Sequence, residues 1–307
     1  MKSTGSAPRS VKRVTTRRSR SGLTFVALVG IILSALFLGQ PGNAVQASLD
    51  HTSAPAPSGS PPPQIPLSTE RLKQLLLARG LTDVVAHLRT RVETPLPTQP
   101  VVYWTIVDGQ SPNWGGYVAD QGNTGNWVNE SRAFFHVRQV TGGPAVGTWG
   151  GVGGVNGTNL AQTGVDQLRM QAWVELFPNP ATYLFSIGNG DTMFSNVFFD
   201  GATGGWVLLI QDYTSGTFFS QEYVFTPDLT SADFISEAQG GGPVPSFSGI
   251  DFSSSGYFIN QLGTELTIDN PYSLRTIRLK LVSPYGGCIT PSALTADGRG
   301  FTNFWGC

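Results

Sequence analysis

From about Val101 to the C-terminus the chain is a succession of short alternating runs, among them "SRAFFHVRQV", "RMQAWVELFP", "SNVFFDG", "GWVLLIQDY" and "TIRLKLVSP", bounded by Gly, Asn, Asp and Pro. A period of two turns successive side chains to opposite faces, so each run can bury one face and wet the other. Turn residues at this spacing leave no room for the helices that join parallel strands, and no repeat of blade or solenoid length is present. The texture predicts an all-β domain over residues 101–307, one antiparallel β-sandwich of two packed sheets. Its core is well supplied, with 40% hydrophobic and 11% aromatic residues against only 13% charged ones.

The front of the chain is different. "MKSTGSAPRSVKRVTTRRSRS" is a basic region, Leu23 to Leu38 is apolar, and "AVQA" at 44–47 ends in small residues, which together read as a secretory signal peptide over residues 1–47. Sixteen apolar residues fall short of the roughly 20 that span a bilayer, so no stable membrane association is expected after cleavage. The pair Arg17 and Arg18 leaves the export route open. Residues 48–66 form a Pro/Ser-rich linker. Behind it Leu72, Leu75, Leu76, Val84, Val85 and Leu88 recur near helical spacing, with Gly80 as a break, so residues 67–100 read as a short helical propeptide.

Charge divides at the same place. From residue 94 onward the chain has 7 Lys and Arg against 16 Asp and Glu, and its one lysine there is Lys280. Such a body cannot release phosphate counterions, which excludes nucleic acid as a partner. The basic helical segment suits an acidic body that it covers until it is cut off, with the cut expected between about Arg91 and Val102. Cys288 and Cys307 are the only cysteines and predict one disulfide in an exported protein.

Elimination narrows the chemistry. His136 is the only histidine past residue 94, so a zinc site built on several His or Cys is unavailable and no metal is expected. There is no G-x-S-x-G elbow, no paired Asp-Thr-Gly loop, and no G-x-G-x-x-G between strand and helix, so no cofactor is implied. Carboxylates and amides on strands remain.

"SPNWGGYV" at 111–118, "TWGGVGGVNGTNLAQTGVD" at 148–166, "AWVELFP" at 172–178, "SADFISEA" at 231–238 and "PVPSFSGIDF" at 243–252 follow one another in the order found in the glutamic endopeptidases, the eqolisins, which the chain resembles from Asn113 to Cys307. The resemblance implies a sandwich of two antiparallel sheets and a catalytic pair, Gln162 and Glu237. It also implies that Trp149 stands beside that pair. The chemistry of the two side chains is consistent with it. Glu237 can take a proton from water and return it to the leaving amine, and the Gln162 amide, which does not titrate, can hydrogen-bond the tetrahedral oxyanion. A donor bond from Gln162 would also lower the pKa of Glu237 and keep the base ionised in acid. Glu175 shares a strand face with Trp173 and Phe177 and reads as a supporting carboxylate, while Asn113 and Trp114 read as fixing the first strand.

Asp233 stands where the family usually has a glutamate, and four residues put it on the same strand face as Glu237. Between Trp149 and Gln162 glycines replace an aspartate that the family often carries. The expectation is a secreted, monomeric acid endopeptidase acting on proteins or peptides. Its rival is a carbohydrate-binding or glycoside-hydrolysing sandwich of the concanavalin-like architecture, with Trp104, Trp114, Trp127 and Trp206 stacking on sugars. The triplets at Asn129 and Asn156 fit the N-glycosylation acceptor pattern.

Overall fold

A computed structural model describes residues 62–82, 106–122, 125–141, 143–260, 264–270 and 275–307. The signal peptide, the second half of the propeptide segment, the expected cleavage region and Trp104 lie outside these residues.

Among the described residues the strands are β1 (Gln64–Ile65), β2 (Ile106–Ser111), β3 (Trp114–Asp120), β4 (Val128–His136), β5 (Val146–Gly153), β6 (Leu160–Asp166), β7 (Gln171–Phe177) and β8 (Thr182–Ser186). They continue as β9 (Thr192–Asp200), β10 (Gly205–Asp212), β11 (Phe218–Tyr223), β12 (Ser231–Ala238), β13 (Ile250–Ile259), β14 (Arg275–Val282), β15 (Cys288–Pro291) and β16 (Phe301–Trp305). Hydrogen bonding follows the order β1-β11-β10-β9-β4-β13-β16-β15-β14-β3-β12-β5-β6-β7-β8, with β2 on β14. This ribbon folds back on itself, so that β4, β9 and β10 pack across β5, β6, β7 and β12. Two antiparallel layers result, as the alternating runs predict. Only β2 runs parallel to its neighbour among these strands.

Alternation sorts the side chains into three apolar groups. Tyr117, Val152, Val165, Val174, Val197, Leu208 and Phe234 fill the space between the layers. On the outer face of β3, β12, β5, β6 and β7 a second cluster gathers Trp114, Trp149, Leu160, Trp173 and Ile235. The outer face of the opposite layer carries Phe194, Phe198, Val207 and Leu209, and there the helix α1 (Thr69–Ala78) docks.

Docking follows from the sequence of α1. Ser68 caps it by accepting the Arg71 amide at 3.1 Å, and Gly80, at φ +69°, ends it where the break is expected. Leu72 and Leu76, one turn apart, bury against the phenylalanines. Arg71 pairs with Asp200, while Arg79 reaches Glu130 at 3.2 Å and the Phe199 carbonyl at 2.7 Å, its guanidinium lying 3.9 Å over the Phe198 ring. The linker departs from expectation at its end. Gln64 and Ile65 pair with Glu222 and Tyr223 at a sheet edge, a position that tolerates the flanking prolines.

Cys288 and Cys307 form the expected disulfide. His136 stands on β4, in the layer that does not carry Gln162 or Glu237.

Candidate active site

Gln162 on β6, Glu175 on β7 and Glu237 on β12 line one open cleft of about 210 Å³ on the outer face of their layer. Register explains how they meet. Gln162 pairs directly with Glu175, whereas Glu237 stands opposite Gly147 and Trp114. Gln162 is opposite Gly151, which in turn is opposite Asp233, so Glu237 lies diagonally across the sheet from the glutamine, four residues up and two strands over. The indole of Trp149 occupies the row between them.

Trp149 is fully buried and its Nε1 donates to Glu237 Oε2 at 3.0 Å, while Asn113 Nδ2 donates to Oε1 at 3.4 Å. The ring of Trp114 meets that of Trp149 edge-on at 5.0 Å. Beyond opening β3, Asn113 therefore holds the carboxylate, and Trp114 packs on Trp149 and lines the cleft. Gly164 makes the tryptophan packing possible. A Cβ there would stand 2.4 Å from the Thr148 carbonyl oxygen, 2.5 Å from Trp149 Cβ and 2.9 Å from the Trp173 ring. Gly164→Ala is expected to destabilise the protein by about 3 kcal/mol, read as a fall in Tm, because backbone and two indoles cannot all yield.

The electrostatics differ from expectation. Gln162 Nε2 donates to Glu175 Oε2, not to Glu237. Burial pushes Glu237 up to about 7, against the lowering effect of donors from Trp149, Trp114 and Asn113. Glu175 rises further, to about 8, through burial and then the charge of Glu237, with the Gln162 hydrogen bond opposing. A base kept ionised in acid by Gln162 is thus not what this geometry provides; desolvation is the larger effect. The Gln162 amide carries two hydrogens, so Glu175 takes one and the other is available to the cleft.

Asp233 stays outside the cleft. It is 0% exposed, receives Ser231 Oγ at 3.4 Å, and burial raises its carboxyl well above the usual range. Trp206 is buried too, at 2% exposure, which removes one of the four rings that could stack on sugars, and Trp114, which lines the cleft, is only 1% exposed. Asn129 is buried, and the Asn156 amide is engaged by Asp120 Oδ1 at 2.9 Å.

Leu160, Trp173, Phe177, Ala181, Tyr183, Gln239 and Gly240 complete the cleft lining. Trp173 and Phe177 were visible as same-face neighbours of Glu175. Gln239, two residues past Glu237, is found by the same rule; Ala181 and Tyr183 come from the next hairpin and have no such signal.

The comparisons agree with this geometry. None of the curated proteins matches the chain. Scytalido-glutamic peptidase, solved with a peptide-based transition state analog, is similar over 64% of this chain and 98% of its own, with a TM-score of 0.52 and 20% identity. SCP-B, described as a member of the eqolisin family of peptidases in complex with the tripeptide Ala-Ile-His, covers the same shares with a TM-score of 0.50 and 18% identity. These likenesses establish the fold. The Peptidase A4 family model matches residues 112–271, just over half of the chain and a span that contains Gln162, Glu175 and Glu237. On that match the chain belongs to the Peptidase A4 family, and it is a glutamic endopeptidase.

Proposed function

We propose that Glu237 is the general base and acid of peptide-bond hydrolysis in this protein and that Gln162 supplies the oxyanion donor. The observation that carries the proposal is the meeting of these two side chains in one cleft, with Glu237 held by Trp149 and Asn113. Ionised Glu237 removes a proton from water as the oxygen adds to the scissile carbonyl carbon. The carbonyl electron pair moves onto oxygen, and the free N–H of Gln162 binds the resulting oxyanion. Glu237 then passes its proton to the amide nitrogen, the C–N bond breaks, and a carboxylic acid and an amine leave. Glu175 orients Gln162 and works as the neutral acid, because a second negative charge beside the oxyanion would oppose its formation. Activity accordingly lies on the acid side of the Glu175 titration. Digestion of a denatured protein by the wild type, and its loss in Gln162→Ala, is the test.

Secretion and maturation by self-cleavage belong to the same proposal. Helix α1 covers the layer opposite the cleft, so it holds the segment on the body without occupying the site. Its Arg79 depends on Glu130, whose carboxyl burial pushes upward despite Arg132 and Arg79. Glu130 is therefore among the carboxylates that lose charge early as pH falls, and acid weakens the attachment. Conversion to a smaller form is expected to speed up on acidification, to begin at higher pH in Arg79→Gln, and to be missing in Gln162→Ala expressed in a host lacking other proteases. A mature-sized Gln162→Ala product under those conditions would rule out self-processing.

Reach limits where the chain can cut itself. Ile106 is level with Thr276, Ala119 and Ala232 across the sheet, five residues and three strands from Glu237. That is about 22 Å, or about seven extended residues. Bonds beyond about Gln99 are cut in trans while β2 stays paired.

A further inference from the structure

Gln239 is a polar side chain in the cleft that has no part in the proposed hydrolysis. Gln239 follows the end of β12, with its backbone N–H fixed on the Ala145 carbonyl at 3.1 Å, and its side chain lines the cleft beside Gly240. Among the described residues none hydrogen-bonds its side-chain amide. The amide lies against Gly147, where a Cβ would come within 2.8 Å of Nε2, so the absence of a side chain at 147 gives it room. Its surroundings contrast with the rest of the cleft, whose other lining beyond the two glutamates and Gln162 is, among the described residues, aliphatic or aromatic: Trp114, Leu160, Trp173, Phe177, Ala181 and Tyr183, the last with its hydroxyl engaged by Asp166 and Arg169.

We propose that Gln239 is a specificity-determining residue, which binds a polar, uncharged side chain of the substrate, an amide or a hydroxyl, at a position flanking the scissile bond. The proposal rests on the assignment of Glu237 as base, since it places the scissile carbonyl near that carboxylate. Gln239 lies two residues past Glu237, across the extended Ala238, which sets them about 7 Å apart, the spacing of alternate residues in an extended peptide. Side chains of such a peptide alternate in direction, so one that faces the aromatic wall has a neighbour that faces away from it. A carboxamide offers both a donor and an acceptor, and therefore satisfies an amide or hydroxyl where an apolar side chain would leave it unpaired. Among the described residues no cationic side chain lines the cleft, so an acidic residue has no charge partner from them.

The test is a peptide library varied at the positions flanking the cleavage site, with products identified by mass spectrometry for the wild type, Gln239→Leu, Gly147→Ala and Glu237→Gln. The wild type should favour Asn, Gln, Ser or Thr over Leu at one flanking position. Gln239→Leu should lose that preference by about tenfold, the worth of one hydrogen bond in a half-open site, while still cleaving peptides that carry Leu there. Gly147→Ala displaces the amide without removing it and should weaken the same preference. An unchanged preference in Gln239→Leu, or an equal slowing of all peptides, overturns the proposal, the latter because it marks a main-chain contact. Cleavage by a folded Glu237→Gln would instead sink the base assignment, whatever Gln239 does.

Discussion

Glu237→Gln is expected to lower kcat/KM for peptide hydrolysis by about 10³- to 10⁴-fold, because an amide can neither accept the proton of water nor return it to the leaving nitrogen. The fold should survive, since the glutamine oxygen still accepts from Trp149 and only the longer contact with Asn113 is lost. Stability gives a readout independent of activity. A carboxyl whose pKa is raised on folding costs nothing while it is protonated in both states, at pH 4, and imposes its full penalty once ionised, above about 7. The variant should therefore match the wild type at pH 4 and exceed it at pH 8 by about 2 kcal/mol, allowing for the opening of the cleft to solvent. Asp233→Asn should change the rate less than about tenfold, because that carboxyl is sealed off from the cleft and burial already favours its neutral form. A folded, fully active Glu237→Gln ends the assignment. A dead Asp233→Asn beside it would move the base to Asp233.

Gln162→Ala is expected to cost about 10²- to 10³-fold in kcat with little change in KM, as loss of a transition-state donor should. Its partner shapes the pH dependence. Glu237 must be ionised and Glu175 neutral, and both carboxyls stand above the usual range with Glu175 the higher. The kcat/KM profile should be a bell whose acid limb belongs to Glu237 and whose alkaline limb belongs to Glu175, both displaced upward from ordinary carboxylates. Glu175→Gln keeps an acceptor for Gln162 and removes the alkaline limb. Glu175→Leu leaves the amide unheld and should lose activity across the whole range. Trp149→Phe deletes a donor that favours the ionised form, so its acid limb should move to higher pH. An optimum several units below neutrality in the wild type would show that Glu237 enters the cycle protonated, and an alkaline limb that persists in Glu175→Gln would assign it elsewhere.

Local pattern determined the class of the fold and the chemistry available to it. Short strand-forming runs with turn residues between them specify antiparallel strands without reference to distant parts of the chain, as β6, β7, β9, β10 and β12 illustrate, but that β6 and β10 are buried on both faces, not on one as alternation implies, was decided by the tertiary structure. The same holds for α1, whose leucine stripe, cap and terminating Gly80 are neighbours in sequence. Gln162, Glu175 and Glu237 were also legible, the first and third from motif order and the second from sharing a strand face with Trp173 and Phe177. Register was not legible, because it is set by pairings among residues more than a hundred positions apart, such as Trp114 with Glu237. Four residues along β12 put Asp233 and Glu237 on one face, yet only the pairing of β12 with β3 and β5 decides that Glu237 opens into the cleft beneath two tryptophans while Asp233 is sealed against Val118 and Gly151. The proton affinities were likewise beyond local reading. Desolvation depends on which side chains close over a carboxyl, and that burial, assembled from β3, β5, β6, β7 and β12, raises Glu237 where a single hydrogen bond considered alone would have lowered it.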